Sequence, residues 1–154
     1  MPGAYSTRSA PIQATWSGAN SVLLTGSYVA SDAIQLPFVK RFTVYPRYKA
    51  GTAETGNTLD FIIETNPFDA TTDSAGAYWT PVGNYLDTSG SYAEEVSTGN
   101  VYHVAQGTAG SYRNGVSVSL SNVDALQMRI KVQETGVASN YGTIQLTVVK
   151  NEIS

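Results

Sequence analysis

Strict alternation of apolar and polar residues is the feature that most constrains how this chain folds. It occurs twice near the C-terminal end, in 126–133 and in 143–148. The apolar positions are Leu126, Met128, Ile130 and Val132 in the first run and Ile144, Leu146 and Val148 in the second. A period of two places neighbouring side chains on opposite faces, so each run predicts a half-buried β-strand. The glycine-bounded loop 135–142 predicts that the two strands form a long antiparallel hairpin.

The same alternation continues upstream. It predicts further strands at 41–45, 59–64 and 116–121, the last directly after the turn dipeptide Asn114-Gly115. Shorter candidates are 22–25, 34–39, 78–82 and 101–106. Proline cannot donate to a β-ladder, so Pro46 predicts a sheet edge or a bulge at the end of the 41–48 run. No window of the sequence shows a helical apolar period, and very low helix content is expected.

Eight or nine short strands separated by Gly, Ser, Thr and Asn indicate an all-β fold, an antiparallel β-sandwich with jelly-roll-like connections. A chain of 154 residues fits one domain, assigned here to 14–154. Residues 1–13 are polar and rich in small side chains. They predict a flexible N-terminal arm that is disordered alone and becomes ordered against a neighbour.

Composition excludes several classes of function. The chain has no cysteine, so disulfides, thiolate metal sites and cysteine nucleophiles are excluded. Only 14% of residues are charged and the net charge is −3, which weakens any case for nucleic-acid binding. No apolar run is long enough for a signal peptide or a membrane span, and we expect a protein made without export and without membrane contact.

The charges are unevenly distributed. Four cations lie within ten residues, whereas 50–125 holds nine acids against the single Arg113. The four are Lys40, Arg41, Arg47 and Lys49. Two interpretations stand side by side: basic side chains that protect a sheet edge from unwanted pairing, and a docking patch for an acidic partner surface.

No convergent set of catalytic groups is visible. The single histidine, His103, alternates with apolar residues on a predicted strand, a pattern typical of a structural or surface residue. Asp60 and Glu64 share one face of a strand, but about 13 Å of strand rise separates them, too far for a glycosidase pair. Asp69 and Asp73 lie in a loop that lacks the glycine and glutamate of a helix-flanked calcium site. We therefore expect no catalytic residue, cofactor or metal.

The stretch 77–90 combines a tryptophan, two tyrosines and two glycines. On the predicted strand 78–82, Trp79 is interpreted as a core or sheet-edge anchor, because a tryptophan buries a large area wherever it can. The following segment is the expected contact loop, with Tyr85 and Leu86 as its apolar part. Glu94-Glu95 is interpreted as a solvated loop tip or, alternatively, as an acidic contact for a basic partner.

Taken in order, several segments resemble small β-sandwich virion proteins of tailed bacteriophages, of the type that decorates or cements the head. They are LDFIIET at 59–65, YWTPVGNYLDTSG at 78–90, LQMRIKVQETG at 126–136, YGT at 141–143 and IQLTVV at 144–149. The likeness covers about residues 15–150. It implies a non-enzymatic protein, often a trimer, that is made in the bacterial cytoplasm and ties subunits of the major capsid protein together from outside the shell.

The sequence thus predicts a capsid decoration protein that acts through many weak contacts. The expected contact residues lie in the arm, the basic group and the aromatic loops: Tyr5, Arg8, Lys40, Arg41, Arg47, Lys49, Tyr85, Leu86 and Tyr92. The alternative is a glycan- or receptor-binding module of a phage tail fibre, with Trp79, Tyr85 and Asp87 as its platform.

Overall fold

The computed structural model describes residues 6–8, 10–36, 39–54, 56–68, 79–82, 94–95, 101–105, 110–115, 117–121, 123–137 and 139–153. At 6–8, 40, 94–95, 101, 103–105 and 152–153 the description covers the backbone alone. These residues form no helix, and their strands make two antiparallel sheets that pack against each other. The prediction of an all-β sandwich is confirmed.

Within the described ranges the chain forms fourteen strands. They are β1 Ser6–Arg8, β2 Ile12–Gln13, β3 Val22–Leu23, β4 Val29–Ala30, β5 Ile34–Gln35, β6 Val39–Lys49, β7 Thr58–Asn66, β8 Thr80–Pro81, β9 Glu94–Glu95, β10 Val101–Ala105, β11 Arg113–Asn114, β12 Val118–Ser121, β13 Gln127–Thr135 and β14 Thr143–Ile153.

Each sheet is built on one pair of long strands. Sheet I has β6 and β14 at its centre, with β1, β2 and β3 along β14 and with β11 and β12 along β6. Sheet II has β7 and β13 at its centre, with β4 and β5 along β13, β8 and β10 along β7, and β9 outside β10. Strands that share one edge occupy one position, so the described strands fill four positions in sheet I and five in sheet II.

The nine positions agree with the expected eight or nine strands. The expectation that all strands are short is wrong for the central strands of both sheets. The four central strands are nine to eleven residues long, whereas the edge pieces are two to five. Broken edges expose few consecutive unpaired backbone groups, which limits edge-to-edge association with other chains. The jelly-roll connectivity stays a prediction.

The core lies between the sheets and follows the predicted alternation. Its inward side chains come from the four central strands and have no exposed surface: Phe42, Val44, Leu59, Phe61, Ile63, Met128, Ile130, Val132, Ile144, Leu146 and Val148. Burying an aliphatic or aromatic side chain of this size stabilises a fold by about 1.5–3 kcal/mol. Leu126 differs from the prediction, since it precedes β13 and is exposed.

The N-terminal segment differs from the expected free arm. The backbone of β1 pairs with β14, with Arg8 opposite Asn151, and β2 pairs with β14 further along, with Ile12 opposite Val148. Ile12 packs against the core, which supplies the apolar contact that the polar composition concealed. Tyr5 lies outside the described residues.

The predicted C-terminal hairpin is wrong, because β13 belongs to sheet II and β14 to sheet I. The chain crosses between the sheets in 136–142. Buried Glu134 organises this crossing, since its carboxylate accepts hydrogen bonds from the backbone N–H of Gly142 (2.6 Å), from Nδ2 of Asn57 (3.0 Å) and from the hydroxyl of Tyr48. Loop length alone does not say which sheet the next strand joins, and a loop of this size serves both connections.

A second buried carboxylate holds the same crossing. Oε1 of Glu54 accepts hydrogen bonds from the N–H of Ser139 (2.6 Å), the hydroxyl of Ser139 (2.9 Å) and the N–H of Asn140 (2.6 Å). Burial raises the pKa of Tyr48, and the adjacent Glu134 raises it further. Buried charges need such donors to offset the loss of water, so the crossing is fixed by hydrogen bonds rather than by apolar packing.

Two apolar residues lie on the outward sides of central strands and are nevertheless buried. Ile62 on β7 and Val149 on β14 are each 5% exposed. They therefore do not mark an open subunit interface. Among the described residues there is no helix with the length and apolar character needed to cross a membrane.

Candidate functional site

The sheet I outer face is formed by the outward side chains of β6 and their neighbours on β14. Phe42, Val44 and Tyr48 point into the core. Alternation therefore directs the odd-numbered residues of β6, between and beside them, outward. These are Arg41, Thr43, Tyr45, Arg47 and Lys49. On the neighbouring strands Val149 lies opposite Thr43, Thr147 opposite Tyr45 and Gln145 opposite Arg47. This face is polar through hydroxyls, amides and cations.

Two of the predicted basic residues converge on one aromatic ring. The guanidinium carbon of Arg47 lies 5.3 Å from the ring centre of Tyr112, and Nζ of Lys49 lies 4.9 Å from the same centre. The Tyr112 hydroxyl donates a hydrogen bond of 3.3 Å to Oγ1 of Thr143. Such cation–π contacts contribute about 0.5–1 kcal/mol each at exposed sites. The ring therefore gathers two cations at one end of the sheet I outer face.

No carboxylate within the described ranges forms an ion pair with Arg47 or Lys49. Both charges lie near one ring centre, so they are within about 10 Å of each other, where like charges in water repel by about 0.4 kcal/mol. An anion placed between them would remove that repulsion. This end of the sheet I outer face thus has positive charge that the described part of the chain does not neutralise.

The remaining predicted basic residues lie elsewhere. Arg41 is exposed at the other end of β6, about 20 Å from Arg47 by strand rise. Lys40 has no backbone partner on β14, because the register shifts there. Asn151 lies opposite Arg41, and the next residue, Glu152, lies opposite Val39. The basic group is therefore two sites on one strand and not a single patch.

Pro46 explains the shape of the face beside Arg47. The sequence predicted a sheet edge or a bulge at Pro46. The edge is wrong, because β6 lies between β14 and the pieces β11 and β12, and the bulge is confirmed by the register of those pieces. The carbonyl of Pro46 accepts a hydrogen bond from Gly115 (2.8 Å), and in an antiparallel ladder the N–H of a residue points to the same side as its carbonyl. The missing N–H of Pro46 therefore faces the break between β11 and β12, where no ladder bond is lost.

That break is a β-bulge. Asn114 lies opposite Arg47 and Val118 lies opposite Val44, so four steps along one strand face three along the other. The Asn114-Gly115 dipeptide, predicted to be a turn, instead begins this bulge. Bulges bend a strand and redirect side chains, and they are common beside functional sites.

The bulge leaves a shallow depression of about 390 Å³ on the sheet I outer face. Its described lining consists of Tyr45, Pro46, Arg47, Asn114, Gly115, Ser117 and Thr147. Every side chain in this lining that carries a polar group can donate a hydrogen bond, and none is a carboxylate. The described lining therefore offers several hydrogen-bond donors and one positive charge.

The sheet II outer face has a different charge balance. Glu64, 5% exposed, accepts a hydrogen bond from Nε of Arg129 (2.6 Å) and lies 3.5 Å from Nζ of Lys131. The Arg129 guanidinium carbon is 4.4 Å from the ring centre of Trp79, and Nζ of Lys131 is 5.4 Å from that of Tyr28. Here each cation has both a ring and a carboxylate.

Trp79 was predicted to be a core or sheet-edge anchor. It lies beside the edge piece β8, is partly buried and packs on Arg129, outside the core between the sheets. The sheet-edge part of that prediction fits the structure. The core part does not.

Asp60 and Glu64, the two carboxylates on one face of β7, are both held by structural partners. Asp60 accepts hydrogen bonds from Nε2 of Gln133 (3.3 Å) and the hydroxyl of Thr135 (3.5 Å), while Glu64 is held by its two cations. Across the described part of the chain no group of three or more His, Cys, Asp or Glu residues is arranged to hold a metal ion.

Several sequence candidates lie outside the described residues. These are Tyr5, Tyr85, Leu86 and Tyr92, together with Asp69, Asp73 and Asp87. Glu94-Glu95 forms strand β9 beside β10 and is not a loop tip. His103 lies in β10, where its backbone is opposite Asp60, and the backbone of Arg8 lies in β1.

Sequence reasoning missed Tyr112, Asn114, Ser117 and Thr147 as site residues. Tyr112 was only one of many tyrosines in Gly/Ser/Thr loops, and nothing in the sequence indicated which strand it meets.

The buried carboxylate of Glu134, at the crossing between the sheets, did have a usable sequence signal. Continuing the alternation beyond Val132 places this carboxylate on the inward side of β13.

Comparison of the sequence with protein families and with curated proteins identifies no relative. No protein-family model matches the chain, and no curated protein matches it.

Proposed function

We propose that this protein is a non-enzymatic structural component of a bacteriophage virion, a decoration or cement protein that binds the outer surface of the capsid. The resemblance of 59–90 and 126–149 to head-decorating β-sandwich proteins motivates the class. The single observation that supports a binding role is the end of the sheet I outer face where Arg47 and Lys49 have no described carboxylate partner.

The sheet I outer face suits contact with an acidic region of the major capsid protein. Positive charge that no described acid neutralises attracts an acidic surface and orients the encounter. The face also presents Tyr45, 39% exposed, and Leu23, 62% exposed, as apolar contact area. Tyrosine beside hydroxyl side chains is typical of protein contact surfaces, because it supplies area at low cost in rotamer entropy.

The fold supports attachment through faces more than through sheet edges. The described edge pieces are short and interrupted, so they offer little backbone for strand addition. Weak face contacts become effective when many copies, as expected for a homotrimer, bind one repeating shell, because each later contact is effectively intramolecular.

Co-sedimentation with purified capsids that lack the protein tests this proposal. At low salt we expect wild-type protein to sediment with the capsids and Arg47→Glu to lose most of that binding. Raising the salt should weaken wild-type binding and reduce the difference between the two proteins, because salt screens the charges. The matched control is Arg113→Glu, the same charge change at an exposed residue opposite Tyr48, on the other side of sheet I. The proposal is contradicted if wild-type protein does not bind the capsids, or if both variants lose capsid binding equally.

The alternative function, a glycan- or receptor-binding module of a tail fibre, uses Trp79 as its platform. One face of that ring is already covered by Arg129 at 4.4 Å, which leaves at most the other face for a sugar. Glycan-array binding that Trp79→Ala removes while the fold is retained would select this function over capsid decoration.

A further inference from the structure

The depression at the β-bulge is an unusual surface feature for a sheet. Most of a sheet face is a continuous row of paired side chains, whereas here the extra residue between Asn114 and Val118 interrupts the row beside Arg47. Pro46 accommodates the interruption because it has no N–H to leave without a partner on that side. The depression of about 390 Å³ therefore lies where the backbone register changes.

Its lining selects for negative charge. Arg47 supplies a guanidinium, Asn114 an amide, and Tyr45, Ser117 and Thr147 supply hydroxyls. In the described lining there is no carboxylate that could repel an anion. Lys49 is not part of the described lining, but it lies over the same Tyr112 ring as Arg47 and adds a second positive charge nearby. A carboxylate in the depression would meet donors on several sides and a charge that no described acid neutralises.

We propose that this depression binds the carboxylate of a Glu or Asp side chain on an extended acidic segment of a partner protein. At about 390 Å³ the depression has room for a carboxylate side chain and is too small for a folded element. The strip of hydroxyl and amide groups beside it, including Gln145, lies along β14 and would bind the backbone of the same segment. This inference deepens the proposed function and rests on the same face.

Binding of synthetic peptides to the purified protein at low salt tests the inference. The probe is an extended peptide of alternating Glu and Ser, and the matched peptide replaces every Glu with Gln. We expect the Glu peptide to bind and the Gln peptide to bind at least about tenfold more weakly, because the charge-assisted hydrogen bonds are lost. Backbone amide shifts should map the Glu peptide to Arg47, Asn114 and Ser117.

Three variants locate the binding. Arg47→Gln removes the charge, and Asn114→Asp places a carboxylate in the depression at an exposed position without removing a cation. Both should weaken the Glu peptide at least about tenfold. Arg113→Gln, at an exposed residue opposite Tyr48 on the other side of sheet I, should leave it unchanged.

Equal binding of the two peptides, an equal loss in Arg113→Gln and Arg47→Gln, or no binding at all would overturn the inference. Inorganic phosphate or sulfate alone that binds more tightly than the Glu peptide would also overturn it, since the site would then take small anions. Because no capsid is present, the outcome is separate from that of the proposed function. Peptide binding without capsid binding leaves the depression intact and rejects the decoration role.

Discussion

On the sheet II outer face, Arg129 and Lys131 lie over Trp79 and Tyr28 and share the carboxylate of Glu64. On the sheet I outer face, Arg47 and Lys49 lie over Tyr112 and have no carboxylate among the described residues. The cation-over-ring contact is the same in both places. The carboxylate makes the first arrangement a closed unit that stabilises the fold. The second arrangement keeps positive charge that no described acid neutralises.

The largest expected effect comes from removing the shared carboxylate. Glu64→Gln leaves Arg129 and Lys131 without their counter-charge, while both are only 27% and 29% exposed. We expect the free energy of unfolding in urea to fall by about 2–3 kcal/mol. The matched change on the other face, Arg47→Gln, should alter it by less than about 1 kcal/mol. Equal costs on the two faces would remove the distinction between them.

Removing one cation from the closed unit should cost less. Arg129→Gln loses the 2.6 Å hydrogen bond to Glu64 and the contact with Trp79, while Lys131 remains. We expect destabilisation of about 1–2 kcal/mol in urea unfolding. Lys131→Gln is the matched control, and its longer 3.5 Å contact predicts a smaller loss. The reverse order would show that the guanidinium is not the principal partner of Glu64.

On the sheet I outer face, changing the ring should alter binding more than stability. Tyr112→Leu removes the π-face that gathers Arg47 and Lys49, so we expect a change of less than about 1 kcal/mol in unfolding and a loss of about three- to fivefold in Glu-peptide affinity. Tyr112→Phe keeps the ring and loses only the hydrogen bond to Thr143. It should bind the peptide like wild type. A loss as large as in Tyr112→Leu would assign the effect to the hydroxyl.

The smallest effect is expected at a carboxylate that belongs to neither face. Asp32 accepts hydrogen bonds from the Thr15 hydroxyl and from the N–H groups of Gly18 and Ser17, and these lower its pKa below the ordinary 3.8. A lowered folded-state pKa stabilises the protein above the unfolded value, and that contribution is lost as the pH falls through the folded value. The melting temperature of Asp32→Asn should therefore be slightly below wild type near neutral pH and approach it under strongly acidic conditions. A constant difference would exclude this titration.

The sequence predicted the elements better than their partners. Alternation identified the inward side chains of β6, β7, β13 and β14, because burial on one face imposes a period of two. At Pro46 the proline rule left a sheet edge or a bulge, and the structure has the bulge beside a central strand. The prediction failed at 136–142, because Glu54 and Glu134 hold the connection between sheets through hydrogen bonds to residues distant in sequence.

The candidate site was predicted only in its charges. Arg47 and Lys49 were expected contact residues, and the sheet I outer face contains both. Tyr112 and Asn114 could not be assigned to the same place, because the bulge that brings them beside β6 depends on the register of two strands more than sixty residues apart.

By itself the sequence determined an all-β chain, the inward faces of its four long strands and the uneven placement of its basic residues, since these follow from local periodicity and composition. Tertiary structure alone decided which sheet each strand joins, where a carboxylate meets a cation and where it does not. Those outcomes depend on contacts between distant segments. Local sequence carries no record of the neighbour that a side chain will meet.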